Sequence, residues 1–241
     1  MEIKKEIMQR ILDYGCGCNY TPLKVVMDVT PPIYLTSPWL HLDSILSYLC
    51  LREALDDLFY IMPSNEKIDI SLLDIPLMKT SDVYHSSVGI YHKPRLYRDT
   101  IYKRFTDKES YKLTQKQQKG RVKTNQGHFK DFMINLPLLI TNKITFYCNG
   151  DETEIKRLLS YLTNIGKKTS IGSGKIRKIT VNQITEDYSF FKDDKIMRPI
   201  PATFDVPVIP GMIFEQQPYK PPYWDKNNVC MCIVPENQLK M

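Results

Sequence analysis

Three glycines and five cations fall within the fourteen residues from Ile165 to Lys178. Gly166, Gly172 and Gly174 are interspersed with Lys167, Lys168, Lys175, Arg177 and Lys178. Glycine allows positive φ and close backbone approach, while Lys and Arg supply charge. The combination predicts a loop that meets a phosphate backbone through exposed N–H groups and cations. It is not a nucleotide-binding P-loop, which sets Gly, four residues, then Gly-Lys-Ser/Thr. Here Thr169 stands five residues before Gly174, and Ile176 follows Lys175. The loop also follows a predicted helix and precedes a predicted strand, the reverse of a P-loop or a dinucleotide fingerprint.

A second basic feature lies upstream. The segment 93–130 holds Lys93, Arg95, Arg98, Lys103, Arg104, Lys108, Lys112, Lys116, Lys119, Arg121, Lys123 and Lys130, opposed by Asp99, Asp107 and Glu109 alone. Its local net charge of +9 exceeds the +6 of the whole chain, so the remainder is net acidic. Localised Lys and Arg displace counterions from phosphates, the footprint of a polyanion contact. Tyr97, Tyr102, Phe105 and Tyr111 sit among these charges, where aromatic rings can stack on splayed bases. Candidate RNA contacts in this stretch are Arg95, Arg98, Lys103, Arg104, Lys116, Lys119, Arg121 and Lys123.

Candidates for catalysis are fewer. His41, His85, His92 and His128 are the only histidines, and a metal-independent precursor-RNA endonuclease would use such groups for general acid–base work. No paired carboxylates, Gly-x-Ser-x-Gly or zinc-hydrolase spacing appears. Cys16/Cys18 and Cys230/Cys232 form two Cys-x-Cys pairs, a spacing shorter than zinc sites usually employ. No cofactor is expected. No apolar run approaches the roughly 18 residues of a membrane span, and the N-terminus carries acids without an apolar stretch, so the expected location is cytoplasmic.

These groups need a scaffold. Ile3, Ile7, Met8, Ile11 and Leu12 predict a short amphipathic helix over 2–13. Residues 23–29 read as a strand ended by Pro31-Pro32, and a helix is predicted over 42–60. Residues 72–79 and 83–91 predict short strands around a Ser81-Asp82 turn. Lys143–Cys148 predicts another strand, followed by a helix capped by Asp151 with Glu154 completing a capping box and stopped near Asn164-Ile-Gly166. A strand is predicted over 175–184. Two strand–helix–strand halves make an α+β, ferredoxin-like (RRM-like) core over 23–185, with the basic insertion 93–130, preceded by a helix and Cys-x-Cys segment over 1–22. The segment 186–241 is rich in proline, which predicts an extended surface wrap without central strands.

Ile171-Gly-Ser-Gly-Lys-Ile-Arg-Lys resembles the Gly-rich signature of the repeat-associated (RAMP) CRISPR proteins. With Leu40-His-Leu-Asp-Ser-Ile-Leu-Ser-Tyr-Leu, Thr163-Asn-Ile-Gly-Lys-Lys-Thr-Ser-Ile-Gly-Ser-Gly-Lys and Met197-Arg-Pro-Ile-Pro201, the region of roughly 24–201 is similar to the 5′-handle-capping subunit of type IV CRISPR effector complexes. The resemblance implies that Gly166, Lys167, Lys168, Gly172, Gly174 and Lys175 contact the handle of the crRNA. The insertion would then be a thumb-like arm. Implied partners are the crRNA, target DNA through the guide–target duplex, and the backbone and large effector subunits. Target sequence would be read by base pairing, with a contribution from the protein to flanking-motif recognition.

Overall fold

A computed structural model describes residues 2–62, 69–105, 124–126, 129–206 and 211–239. At its centre is an antiparallel sheet of β1 (Tyr20–Thr30), β5 (Ile90–Tyr91), β8 (Lys143–Asp151) and β9 (Lys175–Gln183), in the order β5-β8-β1-β9. Helix α2 (Leu42–Leu55) follows β1, and α3 (Glu152–Leu159) joins β8 to β9. Each half of the core is thus strand, helix, strand, and all three pairings are antiparallel. Strand β1 alternates in what it buries over residues 23–29, whereas β8 also buries Tyr147 on its other face. Leu23, Val25, Met27 and Val29 of β1 and Ile144, Phe146 and Cys148 of β8 pack with Leu42, Leu46 and Leu49 of α2 and Ile155, Leu158 and Leu159 of α3. Period-2 alternation in the strands and i, i+3/i+4 spacing in the helices put these residues on facing surfaces. Each such side chain contributes about 1.5–3 kcal/mol on burial.

Helix α1 (Glu2–Asp13) forms as its spacing predicts, but only Ile7 and Ile11 are fully buried, whereas Ile3 and Leu12 stay exposed. Arg10 of α1 donates to the carbonyl of Leu55 at the end of α2. Helix α2 is shorter than its apolar pattern. Asp56 takes φ 48° and the chain continues as a 3₁₀ turn, Asp56–Ile61. The expected capping box at α3 is half formed. Asp151 accepts from the N–H groups of Thr153 and Glu154, but its own N–H donates to Pro76. Glu154 therefore has no cap donor to reach and pairs with Arg157 at 2.8 Å.

The basic segment does not stay irregular. β6 (Arg95–Lys103) pairs over its full length with β7 (Phe132–Ile140), and β2 (Ile33–Tyr34) adds to β7, giving the sheet β2-β7-β6. The arm is therefore a hairpin rooted at residues 95 and 140, running past the predicted end at 130 because the apolar residues 132–140 supply its return strand. The strand predicted at 72–79 shrinks to β3 (Lys79–Thr80) and that predicted at 83–91 breaks into β4 (Val83–Tyr84) and β5, although the turn falls where expected, with Ser81 at φ 45° and Asp82 at φ 71°.

The C-terminal segment also departs from expectation. After a small hairpin, β10 (Phe191–Lys192) with β11 (Lys195–Ile196), it forms a three-stranded sheet of β12 (Ile200–Pro201), β13 (Ile213–Pro218) and β14 (Val229–Val234), in the order β12-β14-β13. The central strand β14 contains no proline. The prolines close the two edge strands, at Pro201 and Pro218, where no ladder donor is needed. The segment then returns to the core: Gln238 accepts from the Tyr91 N–H at 2.9 Å and donates to the Gly89 carbonyl. No described helix is long and apolar enough to cross a membrane.

Candidate nucleic-acid interface

The Gly-rich loop is fastened to β2. Lys167 N–H donates to Tyr34 O (2.8 Å), Gly174 N–H to Pro32 O (2.9 Å), and the Ser173 hydroxyl to Pro32 O (3.1 Å). Two of the three glycines have packing reasons. A Cβ on Gly174 would lie 1.9 Å from the Ile165 carbonyl oxygen, and one on Gly166 would lie 2.7 Å from the Tyr34 carbonyl oxygen. Gly172, at φ 86°, ends the 3₁₀ turn Thr169–Ile171 in open space. The N–H groups of Ile165, Lys167, Ile171, Gly172, Gly174 and Ile176 all donate within the fold. The expected cradle of exposed N–H groups is therefore narrowed: those six hold the loop in place and are not open to a phosphate.

Those side chains stand ready. Lys167, Lys175, Arg177 and Lys178 are exposed and Lys168 is half-buried. Elsewhere cations are neutralised: Arg157 bridges Glu53 and Glu154, Lys156 holds Glu152, and Lys220 and Lys79 share Asp82. Among the described residues, none of the five loop cations has such an acidic partner.

The loop meets the arm. Lys168, in the left-handed region at φ 58°, places its Nζ 5.6 Å from the Phe132 ring centroid. Lys103 lies opposite Phe132 in the hairpin register. Alternation then splits the arm's predicted contacts. Arg95, Tyr97 and Lys103 share the face of Phe132, whereas Arg98 and Tyr102 lie on the other, with the Arg104 guanidinium 5.9 Å from the Tyr102 ring. Tyr34 donates its hydroxyl to Asp99, a bond that pushes its own pKa up and ties the acid of β6 to the loop's anchor strand. Lys116, Lys119, Arg121, Lys123 and His128 lie outside the described residues.

The histidines divide by environment. His41 is stacked on Tyr223 at 3.8 Å, and burial, with Arg198 nearby, holds it well below the usual imidazole range. His92 is exposed at the arm's root. His85 accepts or donates on both nitrogens, to Thr80 Oγ1 (2.9 Å) and Asp187 Oδ2 (3.0 Å). Burial alone would raise the Asp187 carboxyl, but hydrogen bonds from His85, Ser189 and Asn149 hold it at about 2. This chain fastens the β3–β4 hairpin to the segment after β9. Cys16 neighbours Cys50 at 4.0 Å and Cys230 neighbours Cys232 at 3.5 Å. Among the described residues no three His, Cys, Asp or Glu converge as a metal set.

A buried network escaped the sequence reading. The Arg198 guanidinium donates to Asp43 (3.1 Å), to the carbonyls of Tyr84, Ser86 and Tyr219, and to the Tyr223 hydroxyl (3.3 Å). Tyr223 in turn donates to Asp43 at 2.9 Å. It joins two of the quoted motif segments, Leu40-His-Leu-Asp and Met197-Arg-Pro-Ile-Pro201. The available signals were an aspartate beside Leu42 and Leu46 on an apolar helix face and an arginine inside an apolar, proline-flanked run.

The chain is a type IV CRISPR-associated protein. The family model of CRISPR type IV associated protein Csf3 matches residues 21–235, and the chain belongs to that family, a subunit of a type IV CRISPR complex. The match takes in the C-terminal sheet and leaves α1 outside. No curated protein matches the chain.

Proposed function

We propose that this subunit is a non-catalytic RNA-binding protein of the RAMP type that holds the 5′ handle of the crRNA and caps the backbone filament of the effector. On this reading the sheet order β5-β8-β1-β9 with α2 and α3 on one face is a ferredoxin-like core. The Gly-rich loop and the arm grip the ribose-phosphate chain between them, and the protein helps read the motif flanking the target DNA. The observation that carries the proposal is the seating of the loop against the arm: Lys167 is bonded to β2, β2 pairs with β7, and Lys168 lies over Phe132 at the start of β7. Lys167, Lys168, Lys175, Arg177, Arg95 and Lys103 then line one cationic groove, with Tyr97 as a stacking ring. Gly166 and Gly174 act by shaping the loop, and Gly172 leaves its tip open to a close ligand. Arg98 and Arg104 serve the opposite side of the arm.

The test is sequencing of RNA co-purified with the complex, alongside the triple variant Lys167→Glu, Lys168→Glu, Lys175→Glu. Uniform short RNAs sharing a 5′ end are expected with the parent chain, and much reduced recovery with the variant. Each lost phosphate contact should lower the salt slope of binding by about 0.7. Equal recovery and an unchanged slope remove the loop from the interface. Incubation of the purified protein with repeat RNA in EDTA addresses endonuclease activity: cleavage abolished by His85→Ala or His92→Ala would replace the non-catalytic reading.

A further inference from the structure

The helices cover only one face of the central sheet. On the other, register aligns three cross-strand rows from β8 through β1 to β9: Lys143–Asp28–Lys178, Thr145–Val26–Thr180 and Tyr147–Lys24–Asn182. Ile90 of β5 extends the middle row. Apart from Tyr147, these residues are half-buried or exposed.

Three properties of this face point the same way. Its charge is positive, with Lys24, Lys143 and Lys178 against Asp28, whose one ion-pair partner among the described residues is Lys143 at 3.9 Å. Its middle row, Ile90–Thr145–Val26–Thr180, alternates aliphatic residues with threonines and holds no exposed large apolar side chain to anchor a protein partner. Its far end carries two rings, Tyr147 and Tyr188, at 5.4 Å, with Lys192 Nζ 5.9 Å and 5.1 Å from their centroids. Position adds a fourth argument. The near row sits where the Gly-rich loop enters β9 at Lys175 and where the arm's return strand passes into β8. The register shift between Asp28 and Val29 makes Arg177 the unpaired residue of a bulge on β9, and bulges re-aim side chains. Arg177 and Lys178 thus stand next to each other where loop and face join.

We infer that this face binds single-stranded RNA, carrying the nucleotides adjoining those held between loop and arm. The inference rests on the RNA-binding reading above and extends its path from Arg177, which the two share, onto a sheet face that reading does not use. From Lys178 to Asn182 the track spans about 13 Å, room for a few nucleotides. Lys178, Arg177 and Lys24 meet phosphates, the Thr–Val–Thr row lies under the riboses, and the half-buried Tyr188 ring, packed on buried Tyr147, offers a stacking surface at the end, as aromatic rings on sheets do in other RNA-binding modules.

The full-length chain is compared with two variants, Lys24→Glu/Lys178→Glu and the loop triple variant, by anisotropy titration of a labelled 15-nucleotide oligouridylate. The face variant is expected to bind about tenfold more weakly, with a salt slope lower by about 1.4 for two lost contacts. If it binds like the parent while the loop variant weakens, the face is not part of the path and the loop-and-arm reading stands. If neither variant weakens, the RNA-binding reading itself falls. Ultraviolet cross-linking of the unaltered protein needs no variant to fold. Uridine adducts on the peptides around Tyr147 and Tyr188 support the face, and adducts confined to the loop and arm overturn it. Chemical cross-links from Lys24 and Lys178 to another protein subunit in the assembled complex also overturn it.

Discussion

Replacing Arg198 with alanine tests whether the C-terminal sheet is held by a buried ion pair. The Arg198 and Asp43 side chains are each 1% exposed, so truncation leaves a carboxylate without its cation inside the protein. It also strips the carbonyls of Tyr84, Ser86 and Tyr219 of a donor. Breaking a buried pair from one side costs about 3–5 kcal/mol, a large share of a total stability of about 5–15 kcal/mol. With a urea dependence of about 3 kcal/mol per molar, a loss of about 4 kcal/mol moves the unfolding midpoint down by about 1.3 M. Asp43→Ala should cost less, because the guanidinium keeps its carbonyl acceptors. The double variant should cost less than the sum, with a coupling of about 1–3 kcal/mol. The sign with pH is also fixed. Burial pushes the Asp43 carboxyl up, and Arg198 and Tyr223 oppose that. Without Arg198 the folded state holds a proton on Asp43 to higher pH than the unfolded chain, so the penalty is largest at neutral pH and shrinks on acidification. An Arg198→Ala cost below about 1 kcal/mol, or one independent of pH, would refute the reasoning.

The glycines give a graded test. Gly174→Ala drives a methyl into the Ile165 carbonyl and is expected to cost well over 2 kcal/mol in a thermal melt, whereas Gly172→Ala meets open space and should cost only about 1–2 kcal/mol for its left-handed backbone. His41 is held neutral by burial, so the unfolded chain gains a proton that the folded chain refuses as pH falls below about 6.5. Stability should therefore decline in that window, and His41→Phe, which keeps a ring on Tyr223, should flatten the decline measured by urea titration at successive pH values.

The core was legible because its residues repeat. β-branched alternation marked β1, β8 and β9, and leucine spacing marked α2, all without tertiary information. The loop's composition was visible too, but its backbone role was not, since the demand for glycine at 166 comes from β2, more than 130 residues away in sequence, and that at 174 from the way the loop folds back on Ile165. The return strand of the arm was missed because Leu136–Ile140 is a continuous apolar run interrupted by Pro137, with no alternation to announce a strand. β14 shows in its own residues, where Cys230-Met-Cys232-Ile-Val reads as an alternating strand, but the prolines around it hid its place at the centre of a sheet. The Asp43–Arg198 pair could be found only by folding, as each partner alone reads as an anomaly on an apolar surface.

The side-chain amide of Gln238 occupies the place a further strand would take beside β5, accepting from one backbone group and donating to another. An open rim on a sheet is a template for unwanted self-association, and here a single glutamine near the end of the chain blunts it. Changes that pull residues 235–239 away would bare that rim, and their first symptom would be poor solubility during expression, well before any defect in guide capture became measurable.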